Sequence, residues 1–208
     1  MSAEISFAER VRDNQHHLGS NLKSRYDFIV CGSGSSGSVV AGRLAEDPDV
    51  NVLLLEAGSG DDIPSMQNPS LWPTLLGTER DWGYFGEPNP AANGRRVPFA
   101  AGKALGGGSS INVMAWVRGH MDDWNDFAAE SGCDAWRYDN VLEIYRRIED
   151  CQGLPDPKRR GTGGPVFVAP ASDPHPVALA FVEGAAKIGI PTFENPNGAL
   201  LESDSGAA

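Results

Sequence analysis

Gly32-Ser33-Gly34-Ser35-Ser36-Gly37 has the form G-x-G-x-x-G and is the first stretch whose residue types and spacing point to chemistry. A glycine at Gly32 permits a tight turn, and one at Gly34 lets bare backbone approach a pyrophosphate. Gly37 allows a helix to pack closely on a strand. A helix opening here presents free N–H groups and its positive dipole end to phosphate, with Ser35 and Ser36 beside it. Glu56 follows Gly37 by 19 residues at the end of a second apolar run. An acidic side chain there can accept both hydroxyls of an adenosine ribose. The plain alternative is a Gly/Ser loop beside a solvated glutamate. By itself the fingerprint does not separate a flavin dinucleotide from a nicotinamide one.

A second cluster, Gly102 to Gly119, holds five glycines and two serines in 18 residues, with Asn112 near its middle. Gly106, Gly107 and Gly108 expose bare peptide whose N–H groups can bind anionic or carbonyl oxygens. Ile111, Val113, Met114, Trp116 and Val117 follow, and they predict a loop pinned in a core rather than a flexible joint. Other constellations read as structural. Asp61-Asp62 and Asp122-Asp123 read as solvated charge, and Arg95-Arg96 and Arg159-Arg160 as surface loop residues. His16, His17, His120 and His175 take surface positions on this reading. Cys31 reads as a packed thiol; Trp72, Trp82 and Trp116 could border a flavin, with two of the three read as core. Cys31, Cys133 and Cys151 have no metal-ligand spacing, and Gly102-Lys103 lacks the remaining residues of a P-loop.

The elements that must position these residues are short. Residues 1–24 form a polar leader in which Phe7, Val11 and Leu18 make one or two weak amphipathic turns at most. Tyr26–Cys31 is an apolar, β-branched run of the kind that forms a buried parallel strand. Val39, Val40, Arg43 and Leu44 have helical spacing that Asp47-Pro48 ends, and Val50–Leu55 is a second strand. Together they form a βαβ unit with a right-handed crossover. Ser59 to Ala101 carries six prolines and no sustained period, a long loop region of the kind that is usually functional. Helices are expected over Asp122–Ala129, Tyr138–Asp150 and Pro176–Ile188, with a short strand at Val166–Val168.

Composition narrows the function classes. The 208 residues carry 17 Lys and Arg against 28 Asp and Glu, a net charge of −11. Such a surface repels a phosphate backbone, so nucleic acid is not an expected partner. No apolar run approaches the ~20 residues of a membrane helix, and no secretory signal is apparent. The few cysteines fit a reducing, cytoplasmic setting. The 25 glycines are well above the usual ~7% share, and eight of them fall in the two clusters.

With both clusters in view, the chain resembles the glucose–methanol–choline oxidoreductases, a family of FAD-dependent enzymes. Gly102 to Asn125 resembles that family's first signature. Tyr26 to Gly37 and Leu53-Leu54-Leu55-Glu56-Ala57-Gly58 resemble its amino-terminal FAD-binding segment, and Gly161 to Val166 its passage toward the substrate-binding part. The resemblance implies an α/β, Rossmann-like FAD-binding domain with a parallel sheet over residues 25–160. The beginning of a substrate-binding region follows over 161–208. It implies that Gly32, Gly34, Ser35, Ser36 and Gly37 hold the pyrophosphate, and that Glu56 with Ala57 holds the adenosine ribose. Gly106, Gly107, Ser109 and Asn112 would lie along the flavin.

Some members attach FAD through a histidine where this chain has Ile111, so non-covalent FAD is expected. Ala101 also departs from the arginine common there. The implied reaction moves hydride from an alcohol carbon to flavin N5 while a histidine accepts the hydroxyl proton. Electrons then pass to dioxygen or another acceptor. That histidine lies in the family's carboxyl-terminal region, so no catalytic residue is expected among these 208. The chain reads as an amino-terminal piece or a natural stub, inactive alone. The alternatives are a nicotinamide-dependent dehydrogenase and a non-catalytic flavin- or adenosine-binding module.

Overall fold

The computed structural model describes residues 6–208. They separate into two compact units, the first ending at Met114 and the second running from Ala115 to Ala208. The opening segment, expected as a polar leader, is a helix, α1 (Phe7–Ser20). Its start is set by a capping box: the Ser6 hydroxyl accepts from Glu9 N–H at 3.3 Å and Glu9 accepts from Ser6 N–H at 2.9 Å. That S-x-x-E pattern was readable, but the weak apolar stripe behind it obscured it.

The βαβ unit follows. Strand β1 (Phe28–Cys31) leads into helix α2 (Ser35–Leu44) and then strand β2 (Val52–Leu55). The strands pair in parallel, with Phe28 opposite Val52 and Cys31 opposite Leu55. Among the described residues this parallel sheet has only these two strands, so it is covered thinly. Ile29 stays 61% exposed. The same thin cover corrects the reading of Cys31 as a packed thiol: it is exposed, at a strand end with no further layer against it.

Gly37 is where α2 meets the β1 turn. A Cβ there would stand 1.9 Å from the Gly32 carbonyl oxygen. The obstacle is backbone and cannot rotate away. Gly37→Ala is therefore expected to lower stability by about 1–3 kcal/mol in a thermal or urea melt. Gly42→Ala in the same helix meets nothing within 4 Å, and should be neutral or stabilise by about 0.5–1 kcal/mol. Equal losses at both positions would refute this account of the packing.

Residues 59–101 are mostly irregular, as expected. Within them lie short helix α3 (Pro64–Gln67), a 3₁₀ segment (Pro69–Leu75), and an antiparallel pair of β3 (Tyr84–Phe85) with β4 (Pro98–Phe99). Trp72 is half-buried in the 3₁₀ segment and Trp82 is exposed, so neither is a core residue.

In the second unit, helices α4 (Met121–Ser131) and α5 (Tyr138–Ile148) bury Ala128, Tyr138, Val141 and Leu142. The second helix was expected to reach Asp150. It stops at Ile148 because Glu149–Cys151 forms strand β5, parallel to β6 (Val166–Val168). Helix α6 (Pro176–Lys187) and a 3₁₀ turn (Ala199–Glu202) complete the unit. Trp124 stacks on Trp136 with centroids 6.1 Å apart, and Tyr145 meets Trp116 edge-on at 5.6 Å.

Three expectations are corrected here. His175 lies at the surface as expected, whereas His120 is half-buried, and both cap helices. His120 Nδ1 accepts from Asp122 N–H at 3.2 Å, which leaves Nε2–H to donate to the Ser203 carbonyl at 3.0 Å. His175 Nδ1 accepts from Val177 N–H at the start of α6. Arg159 and Arg160 are not loose loop charges: Arg160 is 8% exposed and grips Glu149, while Arg159 grips Glu202. Finally, the apolar stretch after the second glycine cluster is only partly pinned. Ile111 is buried at 4%, but Val113, Met114 and Val117 are at least half exposed. That stretch carries no helix or strand, so these side chains have no layer to enter.

Candidate functional site

Glu56 is held at the end of β2 by three donors. Its Oε2 accepts from Ser33 N–H at 2.8 Å and from the Ser33 hydroxyl at 2.7 Å, and its Oε1 accepts from Gly58 N–H at 2.7 Å. Partial burial by itself would raise the carboxyl's pKa. The hydrogen bonds from Gly58 and Ser33 together outweigh that and hold it below the ordinary glutamate value. The side chain is thus a fixed anion with an unused lone pair on Oε1.

The first glycine turn is open where a ligand would need it open. A Cβ at Gly32 or Gly34 would meet nothing within 4 Å, and Gly32 has φ +90°, a conformation that suits glycine. No side chain caps α2 and no acidic residue lies in its first turn. Its first N–H groups and positive dipole end are therefore free for an anion.

The second glycine cluster comes to the same place within the first unit. Ala104 forms a bridge with Ser59, just past Glu56. Gly58 is required there, since a Cβ on it would lie 2.1 Å from the Lys103 carbonyl carbon. The chain turns through Gly106 at φ +84° into a 3₁₀ turn (Gly107–Ser110). A Cβ on Gly107 would stand 2.7 Å from the Gly34 Cα, so the two bare backbones touch. Gly106 N–H donates to the Ser33 hydroxyl at 3.3 Å, and the hydroxyls of Ser35 and Ser109 meet.

Between these walls lies a cleft of about 760 Å³, within the ~300–1,000 Å³ of small-molecule sites. Gly32, Gly34, Glu56, Ala57 and Gly107, all singled out in the sequence, line it. Gly37, Gly106 and Ser109 stand behind the lining and shape it, and Ser36 sits in the first turn of α2. Asn112 does not line it; its Oδ1 accepts Met114 N–H at 2.8 Å and closes a local turn.

Gly102 and Gly108 of the second glycine cluster line the cleft too, whereas Cys31, Leu55, Tyr84 and Ala100 are wall residues that the sequence did not single out. Trp82, one of three tryptophans read as flavin neighbours or core, and Ala101, noted as a departure from the family pattern, also line the cleft. Trp82 stacks on Tyr84 with centroids 5.8 Å apart, and Lys103 Nζ sits 4.7 Å from the Trp82 ring centre. The available signal was the cluster Trp82-Gly83-Tyr84 inside a long irregular segment. The lining includes no histidine and no free carboxylate besides Glu56. Chemically the cleft offers uncapped N–H groups at a helix start, one fixed carboxylate and apolar aromatic walls. These are the parts a dinucleotide needs, and they fit one.

Comparison with known proteins agrees with this geometry. The family model described as GMC oxidoreductase matches residues 26–206. The chain is 41% identical over 178 residues to an oxygen-dependent choline dehydrogenase of Rhizobium etli, covering 85% of this chain and 32% of that protein. Among solved structures it is similar to pyridoxine 4-oxidase from Mesorbium loti (38% identity, TM-score 0.77), covering 83% of this chain and 34% of that one. It is also similar to an FAD-dependent oxidoreductase from Chaetomium thermophilum (30% identity, TM-score 0.68), covering 84% of this chain and 31% of that one. The chain thus spans about a third of the length of the curated relatives it matches. Two glycine-rich backbones meeting over one cleft, and a family match across nearly the whole chain, lead to one statement: this chain belongs to the GMC oxidoreductase family.

Proposed function

We propose that the cleft of the first unit binds FAD without a covalent link, and that the chain belongs to an oxidoreductase acting on an alcohol CH–OH group. The observation that carries this reading is the contact of Gly107 with Gly34 over a shared cleft. In that arrangement Gly32, Gly34 and the α2 start, with Ser35 and Ser36, hold the diphosphate. Glu56 and Ala57 hold the adenosine ribose. Gly106, Gly107, Ser109 and Asn112 set the loop toward the flavin. Ile111 supports dissociable FAD, because a hydrocarbon side chain buried at 4% offers no nucleophile for attachment.

Bound FAD would supply the hydride acceptor for the alcohol carbon, with dioxygen or another oxidant as the final acceptor. The residues of this chain bind and orient the cofactor and keep water from its walls. None of them is assigned the proton-accepting step, since no histidine lines the cleft. The isolated chain is therefore expected to bind FAD yet leave it oxidised in the presence of an alcohol.

Equilibrium dialysis of the purified chain against FAD, read by the flavin absorbance bands, tests the first half. Acid precipitation should then release all of the flavin into the supernatant. A colourless chain that takes up NADH instead would overturn the assignment in favour of a nicotinamide enzyme. Bleaching of the flavin by an alcohol would overturn the expected inactivity.

A further inference from the structure

Ser33 occupies an x position of the glycine fingerprint, where nothing in the motif asks for a hydroxyl. Yet it is 1% exposed, among the most buried residues described. Its hydroxyl donates to Glu56 Oε2 at 2.7 Å and accepts from Gly106 N–H at 3.3 Å. A carboxylate can only accept and an amide N–H can only donate. A hydroxyl is the smallest side-chain group able to satisfy both at once.

We propose that Ser33 is a positioning residue: its hydroxyl clasps the carboxylate at the end of β2 to the second glycine loop, so that one buried side chain sets the spacing between the two ends of the dinucleotide site. The proposal rests on the FAD reading above. The rest of Ser33 is fixed independently. Its N–H also meets Glu56, at 2.8 Å, and its carbonyl accepts from the Ser38 hydroxyl at 2.7 Å. Losing the hydroxyl therefore leaves Glu56 held by the Ser33 and Gly58 N–H groups. What it releases is Gly106, which opens the turn that carries Gly107 against Gly34.

The consequence is selective. A ligand that uses only the adenosine end should hardly notice the change, whereas one that spans both ends should. In the 208-residue chain, Ser33→Ala is expected to weaken FAD about tenfold and AMP by no more than about twofold, by titration calorimetry. Exchange of the Gly106 amide, followed by ¹⁵N NMR, should accelerate by about tenfold or more while the Gly58 amide is unchanged. Ser33→Thr keeps the hydroxyl and should restore both readouts. Ser33→Gly removes the same hydroxyl and replaces the alanine variant should that one not fold.

Equal losses for FAD and AMP, or an unaltered Gly106 amide, overturn the proposal and leave the cofactor reading standing. An unmodified chain that binds AMP but not FAD overturns the cofactor reading and the proposal with it.

Discussion

Glu149→Ala should lower the stability of the second unit by about 3–5 kcal/mol, the loss usual when one partner of a buried ion pair is removed. Glu149 has no exposed surface. Its Oε1 accepts from Arg160 Nε at 2.9 Å and Gly161 N–H at 2.8 Å, and its Oε2 from Arg160 Nη2 and Trp116 Nε1, both at 3.1 Å. Alanine strands a guanidinium, an indole N–H and a backbone N–H together. Around them, Arg160 Nη1 reaches Asn195 and buried Arg118 bonds the carbonyls of Arg159 and Asn197. The damage therefore reaches segments distant in sequence. Since whole domains hold only about 5–15 kcal/mol, much of the unit should unfold, visible in urea melts followed by tryptophan fluorescence. Arg160→Ala should cost about as much. The double variant should cost less than the sum, because it leaves no charge unpaired. A loss under about 1 kcal/mol for Glu149→Ala would mean that the network is peripheral to stability.

The same network sets a pH response. Burial pushes the Glu149 carboxyl upward, but the Arg160 fork, Gly161 N–H and Trp116 together hold it below its ordinary value of 4.5. Glu202 is also lowered, chiefly by hydrogen bonds from Arg159. A folded pKa below the unfolded one contributes stability above the unfolded value and loses it as pH falls through the folded value. The second unit should therefore weaken progressively below about pH 4.5, and Glu149→Ala should flatten that decline. At the other extreme, burial and the Glu202 carboxylate push the Tyr138 phenol up to about 12. That contribution is complete below the ordinary phenol value of 10.0 and is lost as pH rises toward 12.

What could be read in advance follows from the range of the forces involved. The βαβ unit, its glycines and Glu56 are local: a turn, a helix start and a strand end specified within 30 residues. Their placement matched the reading closely. Arg160 and Arg118 were opaque because their burial depends on acceptors 11 to 79 positions away, and no local pattern announces that an arginine will be covered. Cys31 failed for the converse reason, since an apolar run implies burial only if a layer lies on it. The caps at His120 and His175 were legible in principle. A side-chain acceptor directly before Met121-Asp122-Asp123, or before Pro176, marks a helix start, but histidine is an uncommon cap. Within the cleft, the glycines were found by type. Trp82 was named only as a flavin neighbour or a core residue, and Tyr84 was not singled out, because both lie in a segment without period.

Gly107→Ala should separate the two glycine stretches and abolish most FAD binding. Gly107 has φ +55°, where a side chain costs roughly 1–2 kcal/mol. Its added Cβ would also stand 2.7 Å from the Gly34 Cα. Neither backbone can yield without moving a wall of the cleft. The resulting displacement acts on the diphosphate side and the loop side together, so FAD affinity should fall by about a hundredfold or more, near 2.7 kcal/mol. AMP should weaken as well, which sets this variant apart from Ser33→Ala. Gly108 next to it provides the control. A Cβ there meets nothing within 4 Å, so Gly108→Ala should melt within about 0.5 kcal/mol of the unmodified chain. Any loss of FAD by Gly108→Ala then measures how near the ligand lies to that wall. If Gly107→Ala folds and binds FAD as tightly as the unmodified chain, the two stretches do not share a ligand. The cleft between them would then be an accident of packing, whatever the family match implies.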